Sequence, residues 1–192
     1  MEKVKIKAEG ILAKLKDGNE TIHFYYDDEK KAMRMEPNDS PDNLYFDDKG
    51  YMYFYNRDGD GGMMPSGWIK TNSMASMFMG QYSFKPIAGD QHINDNSGQF
   101  SFPIVAWAIN YREKHFEQNS NFIKQKIDCG KPRKCTKFTG IVGEETGHYS
   151  IFDPSGKLLK MGQSNFSIEY TYGEYNVQLP RAQEVSLPFN MN

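Results

Sequence analysis

Residues 148–179 read HYSIFDPSGKLLKMGQSNFSIEYTYGEYNVQL. Four short runs, His148 to Asp153, Lys157 to Gln163, Phe166 to Tyr172 and Tyr175 to Leu179, read as strands. They are divided by Asp153-Pro154-Ser155-Gly156, by Gln163-Ser164-Asn165 and by Gly173-Glu174. Asp, Asn, Ser, Pro and Gly each favour a chain reversal, through side-chain bonds to the backbone or through permitted dihedrals. Strand, tight turn and strand in succession predict an antiparallel meander. Upstream, Phe122 to Asp128 and Lys134 to Gly140 extend it, with turns at the Cys-flanked loop and at Gly143 to Gly147.

The N-terminal third has the same character. Val4, Ile6 and Ala8 alternate with Lys5 and Lys7; after Gly10 the phase flips and Ile11, Ala13 and Leu15 carry the apolar face. A period of two that slips by one residue at a glycine predicts a β-bulge, which bends a long strand. Asp17-Gly18-Asn19 turns into a strand from Thr21 to Tyr26, and Asp27-Asp28-Glu29-Lys30 turns into another from Lys31 to Glu36. Leu44 to Phe46 and Tyr51 to Tyr55 flank Asp47-Asp48-Lys49-Gly50 as a hairpin.

A central insert, about residues 72–118, reads differently. Ser73 suits the cap of a short helix carrying Met74, Met77 and Phe78, stopped by Gly80. Pro103 suits the first turn of a second helix. There Ile104, Trp107, Ala108, Tyr111 and His115 form one apolar stripe at helical spacing, with Glu113, Lys114 and Glu117 opposite. Strands, a helical insert, then strands predict a mainly β (α+β) fold over 1–192. The expectation is one domain: a curved antiparallel sheet or incomplete barrel, with the insert's helices across its concave face.

Composition narrows the function classes. The 192 residues hold 38% hydrophobic residues but 14% aromatics, with 12 Tyr, 13 Phe and 11 Met, so burial must come largely from rings and Met. The net charge is −2 and neither sign forms a long block, which argues against a nucleic-acid surface. No stretch approaches the ~20 apolar residues of a membrane-spanning helix. Cys129 and Cys135 flank Gly130 and Pro132, so the two thiols could meet across a hairpin mouth as a disulfide. An even count at short range suits an oxidising compartment, the alternative being two reduced thiols in a loop.

The strings Lys134-Cys135-Thr136-Lys137-Phe138, Tyr149-Ser150-Ile151-Phe152-Asp153 and Gly156-Lys157-Leu158-Leu159-Lys160-Met161 resemble the last strands of the periplasmic lipoprotein-carrier (LolA/LolB-like) superfamily. So does the ending from Ile168-Glu169-Tyr170 through Val177-Gln178-Leu179-Pro180 to Ala182-Gln183-Glu184. The resemblance covers roughly residues 121–185, and the first half by strand order alone. It implies an incomplete antiparallel barrel closed by helices. It also implies an exported protein, periplasmic or anchored to the outer membrane, whose signal segment is not in this chain. The amphipathic helix that usually precedes the first strand of the carriers is missing, and no position carries over a carrier's functional residue. A shared fold does not by itself transfer the activity.

The candidate ligand-binding residues are Met63, Met64, Trp68, Met74, Met77, Phe78, Ile104, Trp107 and Tyr111. Flexible, polarisable thioethers suit a pocket for varied apolar shapes; they also bind Cu(I), and they also serve as ordinary core. The Ile104–Trp107–Tyr111 stripe fits a lid helix and equally a packed core. Asn56-x-Asp58-x-Asp60-Gly61 begins like a calcium loop, but Gly67 stands where a bidentate Glu is required and strand-like segments flank it, so it reads as a hairpin turn. The four histidines are scattered and no nucleophile elbow or phosphate loop occurs. The expectation is a monomeric, non-catalytic envelope protein without metal or cofactor, holding a lipid, acyl chain or lipidated protein in a half-barrel cavity. The alternative is a protein-interaction or sensor module with a packed core, working through the tyrosine-rich strand faces or the loop from Ile87 to Gln99.

Overall fold

Alternating apolar residues give two strand-rich blocks whose ends meet in one sheet. The computed structural model describes residues 10–37, 42–57, 64–72, 103–130, 133–143 and 146–186. The strands are β1 (Gly10–Asp17), β2 (Glu20–Asp27), β3 (Ala32–Glu36), β4 (Leu44–Asp47), β5 (Met52–Asn56) and β6 (Gly67–Thr71), followed by the helices α1 (Pro103–Asn110) and α2 (Glu113–Glu117). Then come β7 (Phe122–Asp128), β8 (Lys134–Gly140), β9 (Tyr149–Phe152), β10 (Leu158–Gln163), β11 (Phe166–Gly173) and β12 (Gln183–Glu184). All lie in one sheet of order β12-β6-β5-β4-β3-β2-β1-β11-β10-β9-β8-β7, which does not close into a barrel. The first and last thirds of the chain join where β1 pairs along its whole length with β11.

Register sorts the side chains. Ile11, Ala13 and Leu15 stand opposite Tyr26, Phe24 and Ile22 on one side and Tyr172, Tyr170 and Ile168 on the other. The same face continues through Met33, Met35, Phe46 and Met52 in one direction and through Met161, Phe152 and Phe138 in the other. These residues form one apolar cluster with Ile104, Val105, Trp107, Ala108 and Tyr111 of the α1 segment and Phe116 of α2. Rings fill its β7–β10 end. Phe116 stacks on Phe138 at 5.3 Å and meets Phe122 edge-on at 5.2 Å, and Phe152 stands edge-on to Phe138 at 6.0 Å.

One turn device recurs at the end of the sheet where β1 begins. Asp47 Oδ1 accepts the backbone N–H groups of Lys49 and Tyr51, and Asp153 Oδ1 those of Ser155 and Lys157. Both turns close through a glycine in the left-handed region, Gly50 at φ 85° and Gly156 at φ 84°. Asp27 Oδ1 does the same for Glu29 and Lys30, in a turn one residue longer whose left-handed position is Lys31 at φ 50°. At Asp153 burial acts to raise the carboxyl pKa; the bonds from Ser155 and Lys157 outweigh it and hold the group below its ordinary value.

Several expectations change in the structure. The single helix from Pro103 is two helices, because Arg112 is extended at φ −135°, ψ 149°. The break turns Phe116, not His115, into the core. Tyr175 to Leu179 is no strand. It begins a strap in which Val177 is buried, its N–H donates to Asp27 Oδ2 at 3.1 Å, and Lys30 Nζ bonds Asn176 and the Val177 carbonyl. The strap ends as β12, which pairs in parallel with β6 at the sheet edge. The Asn56–Gly67 loop does join a hairpin, Asn56 standing opposite Gly67. Gly10 opens β1 at a close approach, since a Cβ there would lie 2.8 Å from the Tyr26 carbonyl oxygen and 2.9 Å from the Tyr175 nitrogen. The bulge expected at Gly10 depends on residues 1–9, which lie outside the described residues, as does the helix expected at Ser73.

A disulfide joins Cys129 and Cys135, with Cα atoms 5.7 Å apart, across the β7–β8 hairpin. With a sequence separation of 6 the closed loop is short, and chain entropy gives it about 2 kcal/mol. Reduction, or the C129S/C135S variant, is expected to lower the thermal midpoint by about 4–8 °C, measured by circular dichroism with and without reductant.

Candidate functional site

An open cleft of about 1030 Å³ lies between the α1–α2 corner and the β9–β10 turn. Ile11, Ala108, Ile109 and Tyr172 supply its apolar wall. Arg112, Lys114 and Lys157, with Asp28, Glu113 and Glu117, supply charge, and Pro154, Ser155 and Gly156 complete the turn side.

Each element arrives for a local reason. The stripe residues Ile104, Trp107, Ala108 and Tyr111 belong to the core cluster, and the buried Tyr170 hydroxyl donates to the Ile104 carbonyl at 2.8 Å. Burial among apolar groups holds that phenol well above its ordinary pKa, so it remains a donor. With the stripe facing in, Ile109 points out and is 40% exposed, although it is as apolar as its buried neighbours. The extended Arg112 then redirects the chain, and its Nη1 donates to the Tyr111 carbonyl at 2.7 Å. Across the cleft the Tyr172 hydroxyl donates to the Leu158 carbonyl at 2.7 Å, and Lys157 Nζ sits 4.9 Å from the centre of the Tyr172 ring. Asp28 accepts from the Tyr26 hydroxyl at 3.2 Å; burial first, then the Asp28 charge, pushes the Tyr26 pKa upward.

Among the described residues, those expected from sequence to line an apolar pocket are not in the cleft wall. Ile104, Trp107 and Tyr111 come together, but they are 0%, 3% and 2% exposed inside the core, behind the cleft wall. Trp68 is on the other face of the sheet, because its neighbour Ile69 takes the core position opposite Phe54. There the Trp68 ring meets Tyr45 edge-on at 5.6 Å and Tyr55 at 5.4 Å. Met64 is half-buried in the β5–β6 loop, while Met63, Met74, Met77 and Phe78 lie outside the described residues. The cleft residues Ile109, Arg112, Lys114, Lys157 and Tyr172 escaped sequence reasoning. The one available signal was Ile109, an apolar residue off the helical stripe.

Among the described residues no group of three or more His, Cys, Asp or Glu side chains is placed to hold a metal ion, and no helix is long and apolar enough to cross a membrane. No protein-family model matches the chain, and a search of curated proteins returns no match.

Proposed function

We propose that the chain is an exported cell-envelope binding protein that holds a molecule with an apolar part, a lipid or an acyl chain, in the cleft beside α1. The observation that carries this reading is the exposed Ile109, set with Ile11, Ala108 and Tyr172 into one concave apolar wall rimmed by charge. Pockets that combine an apolar wall with a few polar groups suit ligands of this kind. In this reading the open sheet curves as an incomplete barrel, with α1 and α2 on its concave face. Transfer of the chain from water is the driving force, about 0.8 kcal/mol for each buried CH₂. The Cys129–Cys135 disulfide supports an oxidising compartment, the periplasm or the outer-membrane surface.

The test is native mass spectrometry of freshly purified protein, followed by titration with an environment-sensitive fluorescent fatty acid. An apolar adduct and saturable binding are expected. Ile109→Asp, a change at an exposed position, is expected to weaken binding by at least about tenfold, since a charge on the apolar wall must be desolvated. An empty protein that binds no fatty acid would overturn the proposal.

A second reading is favoured by the outer sheet face. Tyr45, Tyr55 and Trp68 form a ring cluster there, with Tyr55 42% exposed, and Arg34 lies over the Tyr25 ring at 4.4 Å. Tyr, Trp and Arg are the residues that dominate protein interfaces. In this reading the packed core is the scaffold of an interaction or sensor module. Retention of envelope proteins by the immobilised wild-type chain, lost with Tyr55→Ala and Trp68→Ala but unchanged by Ile109→Asp, would support it over the first.

A further inference from the structure

We infer that the ligand of the α1 cleft is an anionic amphiphile, its carboxylate or phosphate head held by Arg112 and Lys114 while its chain lies along Ile109. This deepens the binding reading and rests on it. The formal charge of the lining is balanced: Arg112, Lys114 and Lys157 against Asp28, Glu113 and Glu117. The partners of those groups remove the balance. Glu117 and Glu113 both turn to Lys124, a residue of β7 that is not in the cleft wall; the Lys124–Glu113 pair spans 4.0 Å, and Glu117 bonds Lys124 directly. Asp28 is taken by Lys31, also outside the wall, at 2.6 Å. The three carboxylates are thus answered from outside the cleft.

Arg112 and Lys114 are not answered in the same way. Arg112 donates to the Tyr111 carbonyl, and neither Arg112 nor Lys114 has a carboxylate within ion-pair distance among the described residues. Both are exposed and sit at the corner that follows Ile109 in the chain. Lys157 adds positive charge from the opposite bank, over the Tyr172 ring. An apolar strip that ends at two cations without counter-charges matches an alkyl chain that ends in an anion. A guanidinium can grip a carboxylate or a phosphate through two parallel hydrogen bonds.

The experiment measures binding to the full chain by calorimetry, with each amphiphile below its critical micelle concentration. The probes are laurate, dodecyl phosphate, the non-ionic dodecyl maltoside and inorganic phosphate. Laurate or dodecyl phosphate is expected to bind at least about tenfold tighter than dodecyl maltoside. R112Q/K114Q is expected to erase that difference while leaving the maltoside affinity unchanged. Raising the salt is expected to weaken the anionic probes alone, which tests the wild-type chain without any variant. Equal affinity for dodecyl maltoside would overturn the anionic head and leave the binding reading standing. Failure of every dodecyl or lauryl probe would overturn both. Inorganic phosphate binding as tightly as dodecyl phosphate would overturn the amphiphile, because the chain would then contribute nothing.

Discussion

Phe138→Ala is expected to destabilise the protein by about 3–5 kcal/mol, the cost of emptying a large buried ring site. Phe138 is 1% exposed and sits at the middle of the ring cluster at the β7–β10 end of the core, stacked on Phe116 and edge-on to Phe152. Rings are stiff, and Phe116 is anchored in the five-residue helix α2, so the cluster cannot collapse into the vacated space. At roughly 2–4 °C per kcal/mol for a chain of this size, the thermal midpoint should fall by about 6–20 °C. Urea denaturation followed by fluorescence checks it: the midpoint should move and the slope should not. Phe138→Leu keeps most of the volume and should cost less than half as much.

Asp27→Ala is expected to cost about 2–4 kcal/mol, from one buried carboxylate that serves two parts of the chain. Its Oδ1 accepts two N–H groups of the β2–β3 turn, and its Oδ2 accepts the Val177 N–H at 3.1 Å with Lys30 Nζ 3.6 Å away. The turn amides can reach water once the carboxylate is gone; the buried Val177 amide cannot. The strap should therefore open before the sheet does. Amide hydrogen exchange is expected to accelerate at Val177 and at Val185, which donates to the Lys70 carbonyl, while the amides of β1 and β11 keep their protection. Asp27→Asn retains an acceptor in the same shape and should give a smaller loss. Uniform acceleration across all strands would show that the clasp and the sheet open together.

The β architecture was legible where the alternation was long and the turn residues explicit. β7 and β8 run over the residues expected for them, Phe122 to Asp128 and Lys134 to Gly140, and most other strands begin or end within a residue or two of expectation. Legibility failed where tertiary contacts outweigh local pattern. Tyr175 to Leu179 has strand-like composition, but the clasp from Asp27 and Lys30 draws its backbone away from the ladder. The Ile104–His115 stripe has helical spacing throughout, yet burying Phe116 between Phe122 and Phe138 requires the extended Arg112. Trp68 stands close in sequence to the Met-rich segment, and its apolar character alone does not separate it from that segment. Its sheet face follows from pairing opposite Tyr55, and register is a property of two strands together.

The cleft was less legible than the sheet. Its wall draws on the start of β1, the β2–β3 turn, the α1–α2 corner, the β9–β10 turn and the end of β11. No spacing along the chain links these positions, and none belongs to a catalytic or ligand motif. Of the insert candidates Met74, Met77, Phe78, Ile104, Trp107 and Tyr111, the last three are among the described residues, and the core consumes them. On the cleft wall the exposed aliphatic residue is Ile109, off the stripe, with the charges of Arg112 and Lys114 beyond it.

If the cleft beside α1 receives an acyl chain, a reactive analogue of that chain should label the cleft in preference to the other sheet face. Photolabelling of the full chain with a diazirine-bearing fatty acid, mapped by peptide mass spectrometry, tests it most directly. Labels are expected on the two banks of the cleft, residues 108–114 and 154–157, suppressed by excess laurate. Labels confined to the Tyr45, Tyr55 and Trp68 face, or spread over the molecule without competition, would contradict it.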